Sequence, residues 1–304
     1  MNDSQQKPLH PSKLKAWVEA TRPRTLPVSV AGVFAGCAAA IFEGGFKWLP
    51  AAICMLFAIL AQIASNLANE YYDYAYGFDK KGREGFRRGV TEGDLTPKAM
   101  FRATYAIVAL DSLLGLSLLY WGGPWLLLPG IAIAIFAVAY SAGPYPLSHH
   151  GLGDIAVIIF FGLVPVVLTC YVQTEIWNWS SVSIPMGAAI GLMAANVLVV
   201  NNYRDMDDDR KVGKKTTVVI FGRKAMATAY LCSGIIAAII MVWALWQFTP
   251  WVIAPCVIYL VLHIIIWRKL CSLSGKALNP LLGMTAMNLL LFSLLIIPVA
   301  LLKP

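Results

Sequence analysis

Charge is what this chain has least of. Only 13% of its 304 residues are Asp, Glu, Lys or Arg, against roughly a quarter in a soluble domain. Apolar residues make up 59% and the mean hydropathy is +0.68, which excludes an ordinary soluble fold and implies an integral membrane protein. Cysteine chemistry is lacking too. The six cysteines, at 37, 54, 170, 232, 256 and 271, sit singly in apolar runs with no Cys-x-x-Cys pair and read as small buried hydrophobes. His10, His149, His150 and His263 have no zinc-site spacing. The polar first 25 residues contain no apolar core of the kind a cleaved signal peptide needs, so they are expected to be retained. A metal centre here has to be built from oxygen donors, which suits Mg2+.

What is present is apolar length. A membrane-spanning helix takes about 20 apolar residues. Nine runs qualify, near 26–44, 48–69, 99–121, 124–141, 153–173, 182–201, 225–247, 250–267 and 281–302. The fold class expected is all-α integral membrane with nine transmembrane helices. The cations test this count. The N-terminal segment holds Lys7, Lys13, Lys15, Arg22 and Arg24, while 70–102 and 202–224 hold seven cations each and 268–276 holds three. With nine spans these regions share one side, and only Lys47 and Lys303 fall on the other. The positive-inside rule makes the rich side cytoplasmic, with the N-terminus in and the C-terminus out. The net charge of +8 is thus a property of cytoplasmic loops beside a lipid bilayer and gives no argument for nucleic acid.

The acids are distributed unevenly. Asp3, Glu19, Glu84, Glu92 and Asp94 lie in polar stretches and read as solvated charges; Glu43 and Glu175 lie at outer helix ends. Asp111 reads as a packed, hydrogen-bonded residue of its span, and Asp154, in GLGD at 151–154, opens the fifth span as a candidate cap. The remainder form two clusters: NLANEYYDYAYGFD at 66–79 follows the second span and NNYRDMDDDR at 201–210 follows the sixth. Helical spacing of four puts Asn69 with Asp73 on one face, and Asn201 with Asp205 and Asp209 on another. The same Asn-x-x-x-Asp pattern thus recurs at the same depth in two halves of the chain. A lone ionised Asp at the centre of a span costs ~2.5–3.5 kcal/mol, so carboxylates crowded at a bilayer edge need counter-charge. A divalent cation supplies it, since Mg2+ binds through one or two carboxylates plus phosphate oxygens.

A basic run follows each acidic cluster: Lys80, Lys81, Arg83, Arg87 and Arg88 after the first, and Arg210, Lys211, Lys214 and Lys215 after the second. Arg22 and Arg24 precede the first span at the same face. Such cations either set topology or bind phosphate oxygens; Arg22, Arg24, Arg83, Arg88, Lys214 and Lys215 are the candidates for a diphosphate. The loop from Tyr140 to Asp154 carries no Lys or Arg. It reads either as a plain connection or as a pocket wall with Tyr140, Tyr145, His149 and Asp154 as candidates to hold an aromatic acceptor.

Through RPRTLP at 22–27, the two acidic motifs, and GPYPL at 143–147 with GLGD at 151–154, the chain resembles the UbiA family of intramembrane aromatic prenyltransferases. The form of the first motif and the RPRTLP and GPYPL strings resemble the branch that serves menaquinone. The resemblance implies one transmembrane prenyltransferase domain over 1–304, with 1–24 as a cytoplasmic segment, in the inner cell membrane as a multi-pass protein. It implies an active site at the cytoplasmic face with Mg2+ as cofactor. Asn69, Asp73, Asp79, Asn201, Asp205 and Asp209 would be the metal residues, Asp73 and Asp205 the catalytic pair. The partners implied are a polyprenyl diphosphate and 1,4-dihydroxy-2-naphthoate, with loss of diphosphate and CO2 giving demethylmenaquinone. The chain departs from the family pattern in two places. Glu70 stands where many members have Asp, and Asp79 follows Asp73 by six residues rather than four. Many members also carry a Lys after the fourth span that is absent here, which sets the acceptor pocket apart from that of the hydroxybenzoate enzymes. Hydroxybenzoate and homogentisate remain as other acceptors. A secondary transporter also combines many spans with buried acids, but its acids gather near the midplane, not at one surface.

Overall fold

The computed structural model describes residues 11–178 and 181–303; Asp3, Lys7 and His10 lie outside the described residues. Among these the chain is all helical, with no strand. The elements are α1 Lys13–Ala20, α2 Leu26–Phe42, α3 Trp48–Ala75, a short α4 Gly89–Glu92, α5 Pro97–Gly122, α6 Pro124–Ala139, α7 Gly153–Thr174, α8 Ser183–Lys211, α9 Thr217–Leu245, α10 Pro250–Ser272 and α11 Gly275–Leu301. Each of the nine apolar runs is helical. Seven of these helices are long and apolar enough to cross a membrane, and α2 and α6 are shorter apolar helices.

One difference from the sequence reading, and one agreement with it, bear on the site. The segment read as plain polar chain contains α1. Ser12 caps it by accepting from the Lys15 N–H at 3.3 Å, and its Ala16 and Ala20 face bury against Leu67, Val90 and Met100. Both acidic helices continue past their apolar runs, as the helical spacing of the motifs implied. α3 runs through Asp73 to Ala75, and α8 runs through Asp205 and Asp209 to Lys211. Hydropathy falls where the polar motif begins, but the i→i−4 hydrogen-bond ladder continues. Asn69, Asp73, Asn201, Asp205 and Asp209 therefore ride on rigid helix ends, while Asp79 lies in the loop beyond α3.

Small residues position these helices. α2 packs against α7 and α11, α3 against α5, and α8 against α9 and the middle of α7. Gly162 lies in a π-turn at Ile158–Leu163, just before Pro165, which cannot donate to the helix ladder. A Cβ on Gly162 would stand 2.3 Å from Gly191 Cα and 2.4 Å from the Gly187 carbonyl. The α7–α8 crossing is thus backbone on backbone, the small-xxx-small packing that apolar surroundings favour. By contrast α6 has no buried residue from Leu127 to Ala139. One side of it borders a cavity of about 810 Å³ enclosed with α2, α3, α5 and α7, whose wall is mostly apolar.

Candidate active site

The ends of α3 and α8 meet at one end of the bundle, and the loops that follow them cross. From the loop after α3, Arg83 reaches the second motif and donates to Asp205 Oδ2 at 2.8 Å, while also holding Asp79. From the loop after α8, Lys214 reaches back to the first motif and donates to Asp73 Oδ2 at 2.7 Å. The Glu84 N–H donates to Asp208 Oδ2 at 3.1 Å. Each motif thus receives a cation from the other motif's loop, and the two halves form one site.

The donors around the acids are specific. Asp73, buried, pairs through Oδ1 with His149 Nε2 at 2.9 Å. Asn69 Nδ2 donates to Ser141 Oγ at 2.8 Å and to Asp73 Oδ2 at 3.3 Å. Asn69 Oδ1 accepts from Arg22, and from Arg88 Nη2 at 3.4 Å. Arg204, on α8 and 4% exposed, clasps Asp205 through Nε and Nη2, each 2.7 Å. Its Nη1 donates to Asn279 Oδ1 at 3.0 Å and its Nη2 to Asn201 Oδ1 at 2.8 Å. Burial opposes the charge on Arg83, but Asp205 and Asp79 outweigh burial and raise the guanidinium above its ordinary value. For Arg22 the balance is reversed: Glu70, Asp79 and Asp73 favour the charge but do not offset burial. Burial first, and Arg88 second, push it down to about 9. Its Nε has no hydrogen-bond partner, and its backbone sits at φ +53°, a region a non-glycine residue rarely adopts. Two guanidinium groups beside Asn69, that of Arg22 with an unpartnered Nε and that of Arg88 with its Nε 3.4 Å from Asp79 Oδ2, suit an anion with several oxygens.

The candidates do not all converge. Arg22, Arg83, Arg88 and Lys214 line the junction. Arg24 is exposed, with its guanidinium 4.1 Å over the Phe86 ring. Lys215 is exposed too and touches the site only through its N–H, which donates to the His149 carbonyl at 3.0 Å. Of the acceptor candidates, Tyr140 lines the cavity and His149 holds Asp73. Tyr145 is 57% exposed and stacks on His150. Asp154 accepts from Thr217 Oγ1 at 2.6 Å, tying α7 to α9 outside the cavity wall. Glu70 accepts from the Val90 N–H at 3.1 Å in α4 and still favours the charge on Arg22, so this acid ties the short helix α4 to the site. Two readings need correction. Asp94 is a buried carboxylate paired with Arg87, not a solvated charge. Asp111 is buried but Oδ1 has no hydrogen-bond partner, and the residue faces the cavity. Sequence reasoning missed Arg204, Ser141, Tyr72 and Tyr105. The last two line the cavity and join hydroxyls at 2.7 Å. Their only sequence signal was the aromatic density of the first motif.

The donor set fits Mg2+. Every acid here offers oxygen, Asp79 Oδ2 has no hydrogen-bond partner, and Asp209 is buried with no ion pair among the described residues. Among the described residues no three His, Cys, Asp or Glu side chains converge on one point. Mg2+ does not require that, because it takes one or two carboxylates and completes its shell with water and phosphate oxygens.

The pattern of the UbiA prenyltransferase family matches residues 29–300. The chain belongs to that family. Among its relatives this family member is 34% identical over 302 residues to the 1,4-dihydroxy-2-naphthoate octaprenyltransferase of Escherichia coli K12, covering 94% of this chain and 95% of the relative. It is 34% identical over 283 residues to the protein of the same name from Mycobacterium tuberculosis, covering 91% and 94%. A solved UbiA homologue from Archaeoglobus fulgidus, bound to GPP and Mg2+, shares the fold with a TM-score of 0.68 at 14% identity, covering 93% of this chain and 99% of that one. An apo UbiA homologue from Aeropyrum pernix gives 0.69 at 16%, covering 90% and 96%.

Proposed function

We propose that this membrane-embedded prenyltransferase moves a polyprenyl group from its diphosphate to 1,4-dihydroxy-2-naphthoate, with loss of diphosphate and CO2. The observation that carries the reading is the reciprocal crossing of two acidic motifs and their basic loops beside a large apolar cavity. A polyprenyl diphosphate has that division of character, a charged head and an apolar tail. The relatives named for dihydroxynaphthoate supply the acceptor.

The division of labour follows from the side chains. Arg22 and Arg88 present donors to the diphosphate beside Asn69, and Arg83 and Lys214 add charge from the two crossing loops. Asp73, Asp79, Asp205 and Asp209, with Asn69 and Asn201, are the groups we assign to Mg2+, which when bound neutralises the charge that builds on the departing diphosphate. His149 and Lys214 fix the Asp73 carboxylate from two sides, and Arg204 fixes Asp205, so these acids need no reorganisation during the reaction. The allylic C–O bond breaks with its electron pair going to the diphosphate. The ring carbon that bears the carboxylate supplies the pair for the new C–C bond. Loss of CO2 returns an electron pair to the ring. The apolar wall of α2, α3, α5, α6 and α7 takes the tail and keeps water from the allylic cation.

We place nine spans in the inner membrane, with the N-terminus and this site cytoplasmic and the C-terminus outside. The loops that carry 14 of the chain's cations, seven each, lie together at the site, as the positive-inside rule requires.

The test is transfer by purified protein in detergent with Mg2+ and a labelled polyprenyl diphosphate. Prenylated naphthol and CO2 are expected from dihydroxynaphthoate, with loss on EDTA treatment. In Asp73→Ala and Asp205→Ala the rate should fall at least ~10²-fold, the scale of removing a preorganised electrostatic group. Product from hydroxybenzoate alone would replace the acceptor. Product from neither would refute the reading.

A further inference from the structure

The large cavity contains two polar groups that an isoprenyl tail cannot use. Among the described residues, Asp111 on α5 is the only Asp, Glu, Lys or Arg in its wall. It is 6% exposed, and its Oδ1 has no hydrogen-bond partner. Gln62 on α3 is also 6% exposed. Its Nε2 donates to the Thr25 carbonyl at 3.0 Å, while its Oε1 has no partner. Both residues line the same cavity. They also share a level. Tyr105 meets Tyr72 through their hydroxyls, and Gly115 meets the Phe57 ring. Those contacts set α5 antiparallel to α3 and bring Asp111 opposite residues 62–65. Ser65 and Ser112, also in the wall, add hydroxyls at that height.

Buried polar atoms in folded proteins are nearly always hydrogen-bonded. Two orphans, each covered in the ligand-free fold but borne by residues of the cavity wall at one depth, mark a place where a polar ligand group is satisfied once those side chains turn to it. A hydrocarbon tail offers neither a donor nor an acceptor. A hydroxylated aromatic ring offers both: its hydroxyl donates to Gln62 Oε1, and to Asp111 or, when that carboxyl is protonated, its oxygen accepts from it. We infer that Gln62 and Asp111 form a subsite for a phenolic ring within the membrane, about 10 Å from Asn69 along α3, seven residues at 1.5 Å each. Gln62, Ser65, Asn69 and Tyr72 follow one another on one face of α3 at helical spacing, so a polar stripe links the subsite to the acidic site. The ring is either the aromatic acceptor on its way from the bilayer or the prenylated product on its way out. Both have the same chemistry, and the inference rests on the proposed reaction.

The test is equilibrium binding to purified protein without Mg2+ or prenyl diphosphate. One arm uses 1,4-dihydroxy-2-naphthoate, the other a prenylated naphthoquinol kept reduced. Asp111→Leu and Gln62→Leu are compared with wild type and with Asp111→Asn, which keeps hydrogen-bonding atoms. The leucine variants remove polar groups from an apolar wall, so they are expected to fold; melting curves check this, and Asp111→Asn with Gln62→Met give the same comparison with smaller changes. Each Leu variant should weaken one ring about tenfold, the effect of one lost hydrogen bond, with Asp111→Asn close to wild type. In turnover, weakening of the acceptor arm appears as a raised KM for the acceptor at unchanged kcat. Weakening of the product arm appears as relief of product inhibition. Wild-type affinity for both rings in both Leu variants overturns the subsite. A shift in the KM for the prenyl diphosphate, with both ring affinities unchanged, overturns it too and assigns Asp111 to the tail. Wild-type protein that prenylates no naphthoate overturns the proposed function instead, and so separates the two failures.

Discussion

Arg22 occupies a backbone region that costs a non-glycine residue of order 1–3 kcal/mol, and its guanidinium is forced towards Arg88 under cover. In the ligand-free fold the Arg22 bond to Asn69 and the nearby Glu70, Asp79 and Asp73 offset that cost only in part; an anion at Asn69 offsets more of it. The pH dependence has a definite sign. The folded value, about 9, lies below the ordinary one, so the guanidinium holds stability down wherever it is charged in the folded state. That penalty is complete below about pH 9 and is relieved as pH rises through that value. At pH 7, Arg22→Gln should therefore raise the melting midpoint of the ligand-free protein by roughly 2–4 °C, the shift that ~1 kcal/mol gives a chain of somewhat smaller size. It should also abolish the further rise that Mg2+ with inorganic pyrophosphate gives wild type. Melting curves at pH 7 with and without that pair decide it, and a variant that melts lower than wild type without ligand counts against the argument. The candidate role of Arg22 was legible because it precedes a span beside a proline. Its partner was not. Asn69 is 47 residues away, and Arg83 and Lys214 reach across 122 and 141 residues. Such crossings leave no local periodicity to read.

At the scale of helices, hydrophobic runs identified each apolar helix, because both the bilayer and the core select the same residues. They did not show where α3 and α8 end, since the boundary of the apolar phase is not the boundary of the hydrogen-bond ladder. Nor did they show which glycines are structural. The geometry separates these. Gly162→Ala drives a Cβ into the backbone of α8, at 2.3 Å from Gly191 Cα. Backbone cannot rotate aside as a side chain can, so the cost should reach the upper part of the ~1–3 kcal/mol range for overpacking or exceed it. On α6, a Cβ at Gly130 meets nothing within 4 Å, and Ala in a helix interior gains roughly 0.5–1 kcal/mol over Gly. Thermal unfolding in detergent should show Gly162→Ala melting several degrees below wild type and Gly130→Ala at or slightly above it. Equal melting of the two would mean that α7 and α8 can separate freely at their crossing.

For the whole molecule, charge and geometry give the same polarity. The end opposite the acidic site is closed by few polar contacts. Lys47 pairs with Glu175, Glu43 Oε1 accepts from the Val182 N–H at 3.0 Å, and the Lys303 ammonium donates to the Ile41 and Phe42 carbonyls at 2.8 Å each, capping the end of α2. Trp125, Tyr171 and Trp177 cluster at that end, as aromatic residues do at a membrane surface. The two cations excluded from the basic loops, Lys47 and Lys303, are thus both tied into the opposite rim. If the charged head of the polyprenyl diphosphate lies in cytoplasmic water while its tail stays in the bilayer, it meets the acidic site only when the basic end faces in. Impermeant maleimide on intact and broken cells tests this. Of the six native cysteines only Cys232 and Cys271 are exposed, so a background with both changed to Ser is suited to the measurement. Lys80→Cys should then react only after the membrane is broken, and Lys47→Cys in intact cells. Labelling of Lys80→Cys from outside would invert the topology. It would also remove the diphosphate supply on which the proposed reaction depends.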